Sequence, residues 1–170
     1  MKRIFVIFLL SAVCFLSSLF TGCGGKPRPE GLPPTYPLAV KVLQEGVPLA
    51  DATVSLVSLD APIQWSVGGV TNADGVAKMW TYGTYDGAPE GSYSVVILKT
   101  VFEGLDEYDS AMARGEYSAA RRIQVNMFQL VEDAYTSSRT TPIKVEVTKS
   151  TKTLEVDAGK AVRLPKEYLK

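Results

Sequence analysis

The sequence of 170 residues contains no histidine. That absence excludes Ser-His-Asp and Cys-His chemistry, imidazole acid–base catalysis and nearly every zinc site. Cysteine is almost as scarce: Cys14 and Cys23 are the only two. Beyond residue 23, therefore, no disulfide and no thiolate metal cluster can form. Charge excess is missing too, since 18 Lys and Arg are matched by 18 Asp and Glu. A balanced chain has no electrostatic footprint for nucleic acid. The length suits one ordinary domain or at most two small ones, and no internal repeat is visible.

What is present begins with a leader. Met1-Lys2-Arg3 is a short basic start, followed by an apolar run from Ile4 to Phe20 broken only by Ser11, Ser17 and Ser18. Basic, then apolar, then small residues is the order of a secretory signal peptide, here residues 1–22. Removing Lys2 and Arg3 with it leaves 16 basic against 18 acidic side chains, a formal charge of −2. Phe20-Thr21-Gly22-Cys23 resembles the lipobox of bacterial lipoproteins, in which cleavage before a cysteine frees it for acylation. Thr21 and Gly22 fit that pattern; Phe20 departs from the usual leucine. Cys14 sits mid-run and is the poorer candidate. An uncleaved membrane helix is an alternative, 17 residues being near the lower limit for a span. A plain signal leaving Cys23 as a free thiol is another. Lipidation is favoured over both, because a span should not end in Thr-Gly-Cys-Gly-Gly. Each buried methylene contributes about 0.8 kcal/mol, so one acyl chain holds marginally and two or three hold lastingly. Gly24 stands where an aspartate would resemble the inner-membrane retention signal. In a host with two membranes, the resemblance therefore implies the outer one.

Residues 23–36 form the lipidated cysteine and a tether. Gly24–Tyr36 carries four prolines and three glycines and has no periodicity, the composition of a solvated spacer. At about 3.1 Å per residue it reaches roughly 40 Å. A proline-rich recognition peptide is the weaker alternative.

From Pro37 short alternating runs are separated by turn residues. Leu38, Val40 and Val42 alternate with their neighbours, then Glu45-Gly46-Val47-Pro48 turns the chain. Ala52, Val54 and Leu56 alternate next, Val67–Thr71 follows, and Asn72-Ala73-Asp74-Gly75 turns into Val76–Tyr82. Ser92–Val101 is β-branched, and Ile143, Val145 and Val147 alternate cleanly before Leu154 and Val156. Seven short strands joined by turns predict a mainly β protein, an antiparallel β-sandwich over residues 37–158 with a C-terminal tail at 159–170. One stretch differs. Between about 103 and 134 the spacing of Leu105, Tyr108 and Met112, and of Ile123, Met127, Leu130 and Val131, predicts a helical insertion broken near Gly115. Its apolar stripe is expected to cover a face or edge of the sandwich.

Three segments follow in a fixed order: Gly46–Val54, with Gly46, Pro48, Ala52 and Val54 at set intervals, then Gly69–Gly75, then Gly91–Val95. Together they resemble the carboxypeptidase-regulatory-like, or transthyretin-like (prealbumin-like), domain. Tyr82–Pro89 and Tyr135–Val147 add a similarity to small bacterial lipoproteins that carry it. The resemblance implies a seven-stranded Ig/transthyretin-like sandwich that is not an enzyme, acting as a cell-envelope structural or accessory-binding module. No catalytic residue and no cofactor comes with it. Independently of the resemblance, Gly46 and Gly75 suit turns of positive φ, and Pro48 limits pairing at a strand boundary. Ala77, Met79, Tyr93, Val95 and Ile97 are expected to face inward, with Lys78, Trp80 and Tyr82 on the opposite face.

Four aromatics are candidate ligand contacts. Trp80 and Tyr82, with Trp65 and Tyr85 in nearby loops, are placed to stack sugar rings, as in carbohydrate-binding members of similar folds. The favoured expectation is instead that the helical insertion packs over Trp80 and Tyr82. Glu103, Asp106, Glu107 and Asp109 lack the order of a calcium loop and read as a solvated helix start. Asn72–Gly75 reads as a turn rather than a cation site. No S-x-x-K motif is present, and close carboxylate pairs are inevitable among 18 acids. The sequence therefore predicts no metal site and no catalytic residue. Its expected partners are the membrane, through the lipid on Cys23, and an envelope protein or polysaccharide, with an extracytoplasmic, lipid-anchored location.

Overall fold

The structure, a computed structural model, describes residues 29–60 and 65–166. Gly22, Cys23, the leader and the start of the tether lie outside the described residues. The chain divides into residues 1–32 and 33–170. In the first unit, Pro29–Leu32 form a turn in which the Leu32 N–H donates to the Pro29 carbonyl at 3.2 Å.

Residues 33–166 are mainly β, with several antiparallel sheets consistent with a β-sandwich. In chain order the strands of the largest sheet are β4 (Thr53–Ser58), β5 (Val67–Val70), β7 (Trp80–Thr81), β8 (Tyr85–Asp86), β10 (Gly91–Leu98) and β13 (Lys144–Val147). Side by side they run β13-β10-β4-β5-β7-β8, antiparallel throughout. A second sheet is centred on β2 (Ala39–Gln44). It pairs in parallel with β14 (Thr153–Asp157) on one side and antiparallel with β3 (Val47–Pro48) and β6 (Val76–Lys78). Alternation explains how these strands close on each other. Val40 and Val42 of β2, Val54 and Leu56 of β4, and Val95 and Ile97 of β10 are buried in one cluster with Ala77, Met79 and Val156. Each such aliphatic side chain contributes about 1.5–3 kcal/mol by leaving water. All five residues expected to face inward are buried, Tyr93 included.

Turn chemistry follows the sequence. Glu45 and Gly46 both have positive φ, 52° and 79°, in the two-residue loop joining β2 to β3, the requirement of a type I′ hairpin. The Asn72 side-chain oxygen accepts the N–H groups of Asp74 and Val76 at 3.0 and 2.9 Å, and Gly75 takes φ 73°. That segment is an Asx turn.

Three boundaries move. First, the sandwich begins before Pro37: Thr35–Tyr36 is a strand, β1, paired with β9 (Ala88–Pro89). Among the described residues five strands are only two residues long, too short to leave an alternation, so more strands form than the seven expected. Second, the insertion is not wholly helical. After β11 (Thr100–Glu103) come two helices, α1 (Leu105–Ala113) and α2 (Tyr117–Ala120), but Asn126–Val131 is a strand, β12. Over six residues helical and alternating spacings overlap, and strand pairing on both edges decides the outcome. Third, residues 159–170 are not simply a tail, because Ala161–Lys166 forms β15. β11, β12 and β15 make a separate antiparallel sheet with β12 in the middle. Pro165 is tolerated there because β15 is an edge strand.

The helices do not act as the expected cover either. They pack on each other, and the side chains they bury are the small Ala111 and Ala120. Replacing residues 105–124 by a short Gly-containing turn is therefore expected to change the unfolding free energy by no more than about 1 kcal/mol. Chemical denaturation checks this; a fall of several kcal/mol or aggregation would contradict the packing described.

Candidate functional site

The four aromatic candidates separate into two groups. Trp80 lies opposite Gly68 of β5 and Asp86 of β8 in the sheet register. Its ring is engaged: the Lys78 ammonium stands 4.4 Å from the ring centroid and 3.4 Å from an Asp86 carboxylate oxygen. A cation over an indole face occupies the surface that a sugar ring would need. Tyr85 is half-buried opposite Thr81, whose hydroxyl donates to the Gly87 carbonyl at 2.8 Å.

Tyr82 and Trp65 are brought together. Tyr82 is at the tip of the connection between β7 and β8, where the Thr84 N–H donates to the Thr81 carbonyl at 3.1 Å. Tyr82 and Gly83 both adopt positive φ, 54° and 64°. Gly83 does so freely, but an L-residue with a Cβ loses about 1–2 kcal/mol in this region. The turn is held by the Tyr82 N–H donating to the Ser66 carbonyl at 2.8 Å. Tyr82 remains 43% exposed, which overturns the expectation that the insertion packs over it. Trp65 is half-buried and packs against the core cluster, so its position is fixed by the sandwich itself. Both line an open groove of about 390 Å³, together with Ser55, Val57 and Ser66.

Among the described residues, no charged side chain lines the groove. Ser55 and Ser66 are polar residues of its lining. An added Cβ on Gly68 would lie 3.8 Å from the Ser55 Oγ, which places that hydroxyl on the side of the sheet where glycine leaves room. The two serines are the site residues that sequence reasoning missed. Serine in a strand is unremarkable until the β4–β5 register puts Ser55 opposite Gly68.

Other candidate chemistry disperses. The Glu103 carboxylate pairs with Arg163, while Asp106 and Glu107 occupy the first turn of α1. Among the described residues no three acidic or thiol groups converge as metal ligands. A hollow of about 560 Å³ between the helices holds both signs of charge, with Arg114 donating to both Glu116 carboxylate oxygens at 3.0 and 2.9 Å. That contact draws the Glu116 carboxyl below its ordinary range and the Arg114 guanidinium above its own. Tyr93 is the buried group whose titration is displaced furthest upward: burial, and secondarily the Asp60 charge, push its phenol up to about 12. Among the described residues no helix is long and apolar enough to cross a membrane. Comparison with protein-family models, curated proteins and solved structures gives no match, so the functional reading rests on the residues themselves.

Proposed function

We propose that the chain is a non-catalytic accessory-binding module of the cell envelope, anchored by acyl chains on Cys23 and held extracytoplasmically. In a host with two membranes the outer one is its address. The Thr21-Gly22-Cys23 junction behind the apolar run carries this reading. The histidine-free composition supports it, since the commonest hydrolytic centres are unavailable. We read the fold as transthyretin-like, with seven principal strands: β2, β4, β5, β6 continued by β7, β10, β13 and β14. The work of such a module is presentation. Lipid holds it, residues 24–32 space it from the surface, and the sandwich offers a groove.

The anchor has a direct test. Cys23→Ser is expected to abolish incorporation of labelled palmitate and to leave the protein as precursor or in the soluble fraction. Unchanged labelling and membrane recovery would refute the anchor.

A second reading, a carbohydrate-binding lipoprotein using exposed aromatics, is favoured by one observation: Tyr82 is displayed beside Trp65 rather than covered.

A further inference from the structure

We infer that β13 is a self-association edge, along which two copies of the chain pair antiparallel about a twofold axis at Val145. This goes beyond the proposed function, which involves no second copy. β13 closes one side of the six-stranded sheet, and among the described residues no strand pairs with its outer edge. Backbone direction comes first. The Val95 N–H donates to the Ile143 carbonyl at 3.0 Å, and the register sets Tyr93 opposite Val145. Bonded residues alternate along an antiparallel strand, so Ile143 and Val145 turn their backbone groups to β10 while Lys144 and Glu146 turn theirs outward. In a pair centred on Val145, Lys144 meets Glu146 of the second copy, and each such couple exchanges both N–H···O bonds. The half-buried Val145 side chains meet at the non-bonded position, where Cα atoms approach to about 4.5 Å. Charge says why the partner is a second copy. Lys144 and Glu146 are exposed on one face of the strand, opposite Ser94 and Ser92, and neither has an ion-pair partner among the described residues. Lys144-Val145-Glu146 read backwards exchanges its two signs, so antiparallel pairing sets opposite charges across the axis on both sides. Slipping the register sets Lys144 against Lys144, or Glu146 against Glu146, which like-charge repulsion opposes. The other long edges lack the pattern: β15 carries Pro165, Glu155 of β14 is held by Lys41 at 2.8 Å, and Glu103 of β11 by Arg163. A pairing of four-residue strands falls short of the roughly 1,200 Å² of a stable interface, so the association is weak.

Sedimentation of the full-length lipidated protein, in a density-matched detergent held in large micellar excess, reads the dimer. The wild type is expected to dimerise with a dissociation constant of about 10–100 µM. Lys144→Glu and Glu146→Lys each set like charges opposite one another on both sides of the axis. Each should weaken the dimer at least about tenfold while the melting temperature holds, since both side chains are exposed. The double variant Lys144→Glu, Glu146→Lys rebuilds the pattern in reverse and should regain the wild-type constant. An equimolar mixture of the two single variants should do the same, as a mixed dimer. Three results would overturn the inference. They are a wild type still monomeric at about 1 mM, single variants that associate as the wild type does, and a double variant that stays apart. The second of these would mean another surface or shared micelles. None of those outcomes touches the anchor, which stands or falls on Cys23.

Discussion

Gly87→Ala is expected to lower the unfolding free energy by about 3–5 kcal/mol, among the largest single effects available outside the aliphatic core. Gly87 has φ 81°, where alanine loses about 1 kcal/mol or a little more. The greater part is steric. A Cβ on Gly87 would run into the Tyr36 carbonyl and lie 2.7 Å from the Pro37 nitrogen, and both are backbone. The chain at Thr35–Tyr36 would have to lift from Ala88–Pro89, uncovering two residues that are fully buried. Gly83→Ala is the internal control. Gly83 has φ 64° but nothing within 4 Å of an added Cβ, so its loss should stay near 1 kcal/mol. Urea denaturation of both variants decides the matter. Equal losses would mean that contact with Tyr36 contributes nothing.

Stability should also fall steeply in alkali because of Tyr93. The side chain is 2% exposed and its hydroxyl donates to the Pro89 carbonyl at 2.9 Å. Burial disfavours the phenolate, and the Asp60 carboxylate adds repulsion, so the folded phenol titrates at about 12 against 10.0 in the unfolded chain. A folded pKa above the unfolded one means that the unfolded state loses its proton first. The associated stabilisation is fully present below pH 10 and disappears between pH 10 and about 12. Its size is about 2–3 kcal/mol. At pH 7, Tyr93→Phe should cost about 1–2 kcal/mol by leaving the Pro89 carbonyl without its donor. Above pH 10 the gap between wild type and variant should narrow, close and then change sign, because the wild type loses more than that gap while the phenylalanine has no proton to lose. Parallel pH–stability curves for the two proteins through pH 12 would show that Tyr93 does not govern this window.

Much of the sandwich is legible in the sequence because its principal strands are half-buried. The alternation in Ala39–Gln44 and Thr53–Ser58 is the imprint of one face turned to a core, and Ala77, Met79, Tyr93, Val95 and Ile97 could be assigned to that face directly. What escaped depends on distant partners. β1 is two residues whose place is set by a glycine some fifty positions away. β12 spans six residues whose spacing suits a helix equally well until β11 and β15 claim its edges. β15 reads as a tail because none of its apolar residues is fully buried: Val162 and Leu164 are half-buried, Ala161 and Pro165 exposed. At the groove, the aromatic types were visible but not their fates. Trp80 and Tyr82 are two residues apart, yet one accepts an ammonium from Lys78 and the other stands on a strained turn. Sequence proximity carries neither fact, since each arises from how β6, β7 and β8 meet.

The placement of β2 has a mechanical consequence. It follows almost directly on β1, and it is bonded along both edges, to β14 and to β3 and β6. Once the two-residue β1 has parted from β9, traction arriving from the proximal end of the chain therefore reaches an interior strand rather than a peripheral one. Hydrogen bonds on two flanks would have to shear together instead of unzipping singly, so the domain meets drag at its best-braced point.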